Sequence, residues 1–308
     1  MKKILITDTL FIFDEHIKTL ESAGYEVVRI EKPDMSEGEL KEAIADKTGY
    51  ILGGIEYVTD SVIEAAKELR AVVFTGTGYK GHIPGYKAAF ANGVLIGNTP
   101  YANVHEVAEW ALAATLAMQR DLFSLGPKGG EKFHTISSLP DLSIGVIGLG
   151  HIGKKYADMV SSIGAKEVSY WSRSRKDVDY TYLSREELLE VSDIVFVAVG
   201  DDAGDDFIGE KDFSLMKKDA LLVSISHHGI VNENELLEAI KTGRIRAALD
   251  IVKDIDSFRG LPESRWYGSN ASAAYNSTSY LKRSSDMAVN TLLNLLKTGD
   301  DDNRVIDE

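Results

Sequence analysis

Cysteine is missing from all 308 residues, which excludes disulfides, thiolate metal sites and a cysteine nucleophile. An uninterrupted apolar run of the roughly 18 residues that a membrane-crossing helix needs is also missing, so no spanning segment is expected. Positive charge is in the minority: 34 Lys and Arg stand against 48 Asp and Glu, a formal charge of −14. That balance argues against nucleic acid and anionic membrane surfaces as partners. What is present, 44% hydrophobic and 27% charged residues, is the composition of a soluble globular protein, and the length allows two domains with separate cores. The start, MKKILITDTLFIFD, has a basic end and an apolar run, but Asp8 interrupts it and no small-residue cleavage site follows. It reads as a first strand, residues 3–7, and the cytoplasm is the expected compartment.

The stretch 142–168, LSIGVIGLGHIGKKYADMVSSIGAKEV, organises the rest. It reads as a buried strand, a turn carrying Gly148, Gly150 and Gly153, a helix, and a second strand ending near Trp171. That order suits a dinucleotide site. Gly148 would let the chain turn off the strand, Gly150 would leave no side chain between backbone and pyrophosphate, and Gly153 would let helix and sheet pack closely. Backbone N–H groups at the helix start would face the phosphates.

Before this stretch, residues 1–98 alternate short apolar strands with amphipathic helices over 16–23, 37–45 and 61–69. Such alternation implies a parallel sheet covered on both faces. Two strands there end in glycine turns, Gly53–Gly54 and Gly76–Thr77–Gly78. Both could hold a small anionic substrate by backbone N–H groups, or could serve turn geometry alone. Residues 103–120 read as a long apolar helix buried between domains or against a second subunit, and 126–140 as a loop. Strands 193–199 and 220–226, a helix over 232–241 and the run AALDIV continue the second sheet. Residues 277–296 read as a last helix returning to the first domain.

With these pieces placed, the chain resembles the D-isomer-specific 2-hydroxyacid dehydrogenase family. The carriers are FTGTGY, NTPYANVHEVAEWALA, GVIGLGHIG, SREELLEVSDIV, FIGEKDFSLMKKDALLVSIS, GIVNENELLEAIKTGRI, AALDIV and AAYNS. The resemblance implies α/β architecture in two doubly wound parallel-sheet domains, the second a Rossmann dinucleotide-binding domain. A discontinuous substrate domain would span 1–99 plus 283–308 and the cofactor domain 100–282, with hinges near Pro100 and residues 277–282, closing on substrate to expel water. It implies hydride transfer between a nicotinamide and a small 2-oxo or D-2-hydroxy acid, a homodimer paired through the long helix, contact of Asp250 with the nicotinamide amide, and backbone N–H groups of His151 and Ile152 presented to the pyrophosphate.

The family's catalytic residues are an arginine, a glutamate and a histidine, and this chain departs from all three. His227 stands in the arginine slot, within Ser226–His227–His228–Gly229. Ile255, flanked by Asp254 and Asp256, stands in the glutamate slot, and Ser272 in the histidine slot. Either His227 or His228 has taken over as acid/base, with Asp254 or Asp256 raising its pKa, or the chain binds a nucleotide without classical turnover, as a sensor would. The histidines could also serve only as hydrogen-bond partners of the backbone. After the second fingerprint strand an acidic residue would hold the ribose of NAD. Here Ser172, Arg173, Ser174, Arg175 and Lys176 follow instead, a cluster suited to a 2′-phosphate. NADP is the expected cofactor and NAD the alternative. Against it stand the four aspartates of residues 200–206, which could repel phosphate or pair with the arginines. They lack calcium-loop spacing, and no metal is assigned.

Overall fold

The computed structural model describes residues 1–8, 12–128, 135–271 and 273–306. It divides into two compact units, Met1–Asn103 with Asn276–Glu308, and Val104–Tyr275. In the first unit the chain runs β1 (Lys3–Thr7), α1 (Asp14–Ser22), β2 (Glu26–Ile30), α2 (Glu37–Ile44), β3 (Gly49–Leu52), α3 (Asp60–Ala65), β4 (Ala71–Phe74), α4 (Tyr79–His82), α5 (Tyr86–Ala91) and β5 (Leu95–Asn98). All its strand pairs are parallel, in the order β2-β1-β3-β4-β5. The inner strands β1, β3 and β4 are apolar on both faces because both are covered. In β1, Ile4 and Ile6 enter one core cluster while Leu5 enters the other, the period of two that a pleated strand imposes.

The second unit runs α6 (Val104–Gln119), α7 (Leu122–Lys128), β6 (Ser143–Ile147), α8 (His151–Ser162), β7 (Glu167–Trp171), β8 (Thr181–Tyr182), α9 (Arg185–Val191), β9 (Ile194–Val197), α10 (Glu210–Leu215), β10 (Leu221–Ser224), α11 (Glu233–Lys241), β11 (Arg246–Leu249) and β12 (Trp266–Gly268). Its seven strands lie in the order β12-β11-β10-β9-β6-β7-β8, all parallel. β6 therefore sits where the chain order reverses, the topological switch point at which ligands bind open α/β sheets. Ile144 and Val146 pack on one side, with Tyr156 and Val160 of α8, and Ile147 packs on the other, with Leu188 and Leu236. The last helix, α12 (Thr278–Thr298), belongs whole to the first unit. It is capped by Ser277 at Tyr280 N and buries Ala288, Val289, Leu292 and Leu295 against the sheet.

Four elements differ from the sequence reading. α7 covers Leu122–Lys128, and its last three residues fall in a stretch read as loop from 126. The second sheet gains short edge strands, β8 and β12. α3 stops at Ala65 because Ala66 leaves helical geometry at ψ 65° and its N–H closes the turn on Val62 and Ile63. No helix among the described residues is long and apolar enough to cross a membrane.

Candidate functional site

The three fingerprint glycines each meet a different environment. Gly148 has φ +95°, and a Cβ there would lie 2.4 Å from the Ala198 carbonyl oxygen. A side chain is excluded by both conformation and space. At Gly153 a Cβ would stand 2.0 Å from the Gly148 oxygen, so α8 can approach β6 only without one. Gly150, the N-cap of α8, has nothing within 4 Å of its Cβ position. Bare backbone therefore faces open space at the helix start, where the first-turn N–H groups have no intrahelical acceptor and the dipole favours an anion. His151 and Ile152 are the first two residues of that turn.

A cavity of about 410 Å³ opens there, lined by Gly148 and Gly150, by Ser172, Arg173, Ser174 and Lys176 after β7, and by Val199, Asp202 and Phe207 after β9. The basic turn is pinned from below. Tyr170 Oη receives the Lys176 N–H at 2.8 Å and lies 3.1 Å from the Lys176 oxygen, Tyr182 Oη donates to the Ser172 oxygen at 3.3 Å, and Ser172 Oγ donates to the Ser174 oxygen at 2.6 Å. Ser172 is thus committed to shaping the turn, and Arg175 does not line the cavity. Arg173 pairs across the cavity with Asp202, Nη1 to Oδ2 at 2.6 Å.

A second cavity, of about 510 Å³, lies at the carboxyl ends of β9, β10 and β11 in the same unit. Asp205, Asp206, His227, His228, Lys253 and Asp254 line it. His227 and His228 are exposed, with ring centroids 3.7 Å apart. His227 Nδ1 lies 3.0 Å from the His228 carbonyl oxygen. A carbonyl only accepts, so Nδ1 carries the hydrogen and Nε2 of the neutral ring is left as an acceptor. Asp254 caps the following turn through Ser257 N and Oγ, while Asp256 is paired with Arg259 at 2.8 Å and does not line the cavity. Neither carboxylate is bonded to a histidine ring, because each is engaged by its own three-residue neighbourhood. Ser272 lies outside the described residues. Asp250 is buried, and its Oδ1 accepts from Ala273 N at 2.9 Å and Ala274 N at 3.0 Å. Burial raises its pKa, partly offset by those two N–H groups. That oxygen holds backbone in this structure.

In the first unit the two glycine turns are unlike. Gly53 N donates to the Thr7 oxygen at 3.0 Å, and a Cβ would meet Asp8 Cβ at 2.7 Å. At Gly54 a Cβ would meet Glu56 Oε2 and stand 2.5 Å from the Pro33 oxygen. Asp8 and Glu56 are buried behind this turn, with Arg29 Nη2 3.6 Å from Asp8 Oδ1, and the space of the missing side chains is filled by protein. Glu56 Oε1 accepts from Thr7 Oγ1 and, at 2.6 Å, from Tyr50 Oη, while Oε2 is buried without a partner. Burial holds the Glu56 pKa above the usual carboxylate value. Thr77 and Gly78 are open by contrast, both exposed and with no atom near a Gly78 Cβ, whereas a Cβ at Gly76 would lie 2.6 Å from the Phe74 ring. Phe74, His82 and Tyr57 stack beside this turn, with centroid spacings of 4.6 and 6.2 Å. The sequence reading singled out neither Glu56 nor His82. Their signal was faint, one Glu and one His inside ordinary loop segments.

Metal-ligating side chains come together in one group among the described residues, Glu15, His16 and Asp286. Lys282 pairs with both acids there, and His16 Nδ1 is engaged by Phe13 N. The group reads as an ion-pair cluster.

Residues 112–260 match the model of the D-isomer specific 2-hydroxyacid dehydrogenase NAD binding domain. The chain belongs to the D-isomer specific 2-hydroxyacid dehydrogenase family. Pig D-3-phosphoglycerate dehydrogenase is 31% identical over 264 residues, 82% of this chain and 48% of that protein. The chain spans about half the length of the curated relatives it matches. Among solved structures, a Thermus thermophilus protein superposes with TM-score 0.87 at 23% identity, covering 99% of this chain and 100% of the other. An acyclic imino acid reductase in complex with NADPH and D-Arg superposes with TM-score 0.83 at 22% identity, again over 99% and 100%. At these identities the structural likeness speaks for the fold.

Proposed function

We propose that this member of the family binds a nicotinamide nucleotide, NADP ahead of NAD, at the start of α8 and exchanges a hydride with a small 2-oxo or 2-hydroxy acid. The observation that carries the reading is the bare Gly150 face at the α8 start, opening on a cavity whose opposite wall is a pinned basic turn. Backbone of Gly150, His151 and Ile152 would hold the pyrophosphate, with Gly148 and Gly153 keeping turn and helix in place. Arg173, Ser174 and Lys176 would hold the extra phosphate of NADP. Bound there, the cofactor supplies or takes the hydride.

His227 is the acid/base in this reading, with His228 fixing its tautomer through the backbone carbonyl. Neutral His227 takes a proton on Nε2 in the oxidative direction, and its imidazolium returns one in the reductive direction. The first unit serves as substrate domain, with the turn at Gly76, Thr77 and Gly78 offering backbone N–H groups to a carboxylate. The chain works as a homodimer in the cytoplasm.

A second reading is a nucleotide-binding protein without turnover. It is favoured by the engagement of Asp254 and Asp256 away from the histidine rings. The test mixes purified chain with NADPH or NADH and follows cofactor fluorescence. Glyoxylate, hydroxypyruvate and pyruvate are then added, each with and without ammonium because an imino acid reductase shares the fold. Turnover that falls about 10²–10⁴-fold in His227→Ala and survives in His228→Ala supports the enzyme reading. A fluorescence change without turnover on any acceptor supports the binding reading. Light scattering at twice the chain mass checks the dimer.

A further inference from the structure

We propose that Asp202 sets the choice between NAD and NADP, by supplying from the loop after β9 the carboxylate that the end of β7 lacks. The assignment rests on the nucleotide reading of the cavity given above. β7 ends at Trp171, and the five residues after it contain no acid. Asp202 lines the same cavity as that turn, with its Oδ2 2.6 Å from Arg173 Nη1. The turn backbone is held by Tyr170, Tyr182 and Ser172. Both partners of the ion pair are exposed side chains, so the pair can part while the turn stays in place.

Two ribose chemistries meet this pair differently. A 2′-hydroxyl can donate to the Asp202 carboxylate while Arg173 stays paired, as an acidic residue at a strand end would allow. A 2′-phosphate needs the guanidinium for itself. It must displace Asp202 from Arg173 and then tolerate a carboxylate beside it. Asp202 is thus a resident competitor for the guanidinium that favours NADP, and it narrows the lead that the basic turn confers.

The experiment measures dissociation constants of NADPH and NADH by cofactor fluorescence at fixed salt, for wild type, Asp202→Asn, Arg173→Ala and Glu190→Gln. The fragments 2′,5′-ADP and 5′-AMP are titrated in competition. Because an exposed ion pair is a modest interaction, Asp202→Asn should shift the preference toward NADPH about fivefold, mainly through tighter NADPH, with the same direction for 2′,5′-ADP over 5′-AMP. Arg173→Ala should shift it the other way. Glu190→Gln removes one exposed charge from α9 and should leave the ratio alone, which separates a local from a net-charge effect. If wild type binds both nucleotides and Asp202→Asn leaves the ratio unchanged, or Glu190→Gln moves it as far, the Asp202 assignment falls alone. If wild type binds neither nucleotide, the underlying reading falls with it.

Discussion

Two glycine turns at the carboxyl ends of parallel strands, one after β6 and one after β3, look alike as strings of residues and differ in what surrounds them. After β6, the helix-capping Gly150 faces open space and a basic turn. After β3, Gly53 and Gly54 face Asp8, Glu56 and Pro33, with no room for a Cβ and buried carboxylates behind. The first arrangement leaves backbone available to a ligand. The second uses the absence of a side chain to let protein pack on protein. What separates a cradle from a packing joint is therefore the occupant of the missing Cβ position.

Substitutions at these glycines test that contrast. Gly153→Ala should have the largest effect, because its Cβ would press on the Gly148 oxygen at 2.0 Å. Overpacking of this kind costs about 1–3 kcal/mol or more and would distort the turn, so melting temperature and nucleotide affinity fall together. Gly150→Ala should weaken nucleotide binding about tenfold or more, a loss of roughly 1.4 kcal/mol, with little change in melting. Gly54→Ala should do the reverse, losing about 1–3 kcal/mol of stability with nucleotide affinity intact. Calorimetry and cofactor fluorescence on the same preparations read both quantities.

Smaller effects sharpen the picture on each side. Tyr170→Phe removes the hydroxyl that receives the Lys176 N–H. It should cost about 1 kcal/mol and weaken NADPH a few-fold by loosening the basic turn. On the other side, burial raises the Glu56 pKa, so the folded protein holds that proton more tightly than the unfolded chain. The stabilisation from Glu56 is present below the ordinary value of 4.5 and is lost as pH rises through the raised one. Glu56→Gln cannot ionise. Its melting temperature should decline less than that of wild type over this rise in pH, with Oε1 still able to accept from Thr7 and Tyr50.

The alternation of strands and helices and the glycine turn after β6 were readable because their signals are local. The Gly148, Gly150 and Gly153 spacing sits between apolar strands, and strand 3–7 was placed to the residue. The short edge strand Trp266–Gly268 escaped because three residues carry no periodicity, and its pairing with Ala247, Ala248 and Leu249 supplies the order. Likewise, the aspartate loop was legible as a charge cluster. That Asp202 reaches Arg173, 29 positions earlier in the chain, depends on β9 and β7 flanking β6 in the sheet. Glu56 was invisible for the same reason, since its partners come from β1 and β3 and meet only when those strands pair.

The most direct test of the account is a titration of wild type and Gly150→Ala with NADPH and NADH, followed by calorimetry. It predicts binding of at least one nucleotide to wild type, with affinity falling about tenfold or more in Gly150→Ala at unchanged melting temperature. Equal affinity in the two proteins, or no heat from either nucleotide with folded wild type, would contradict it.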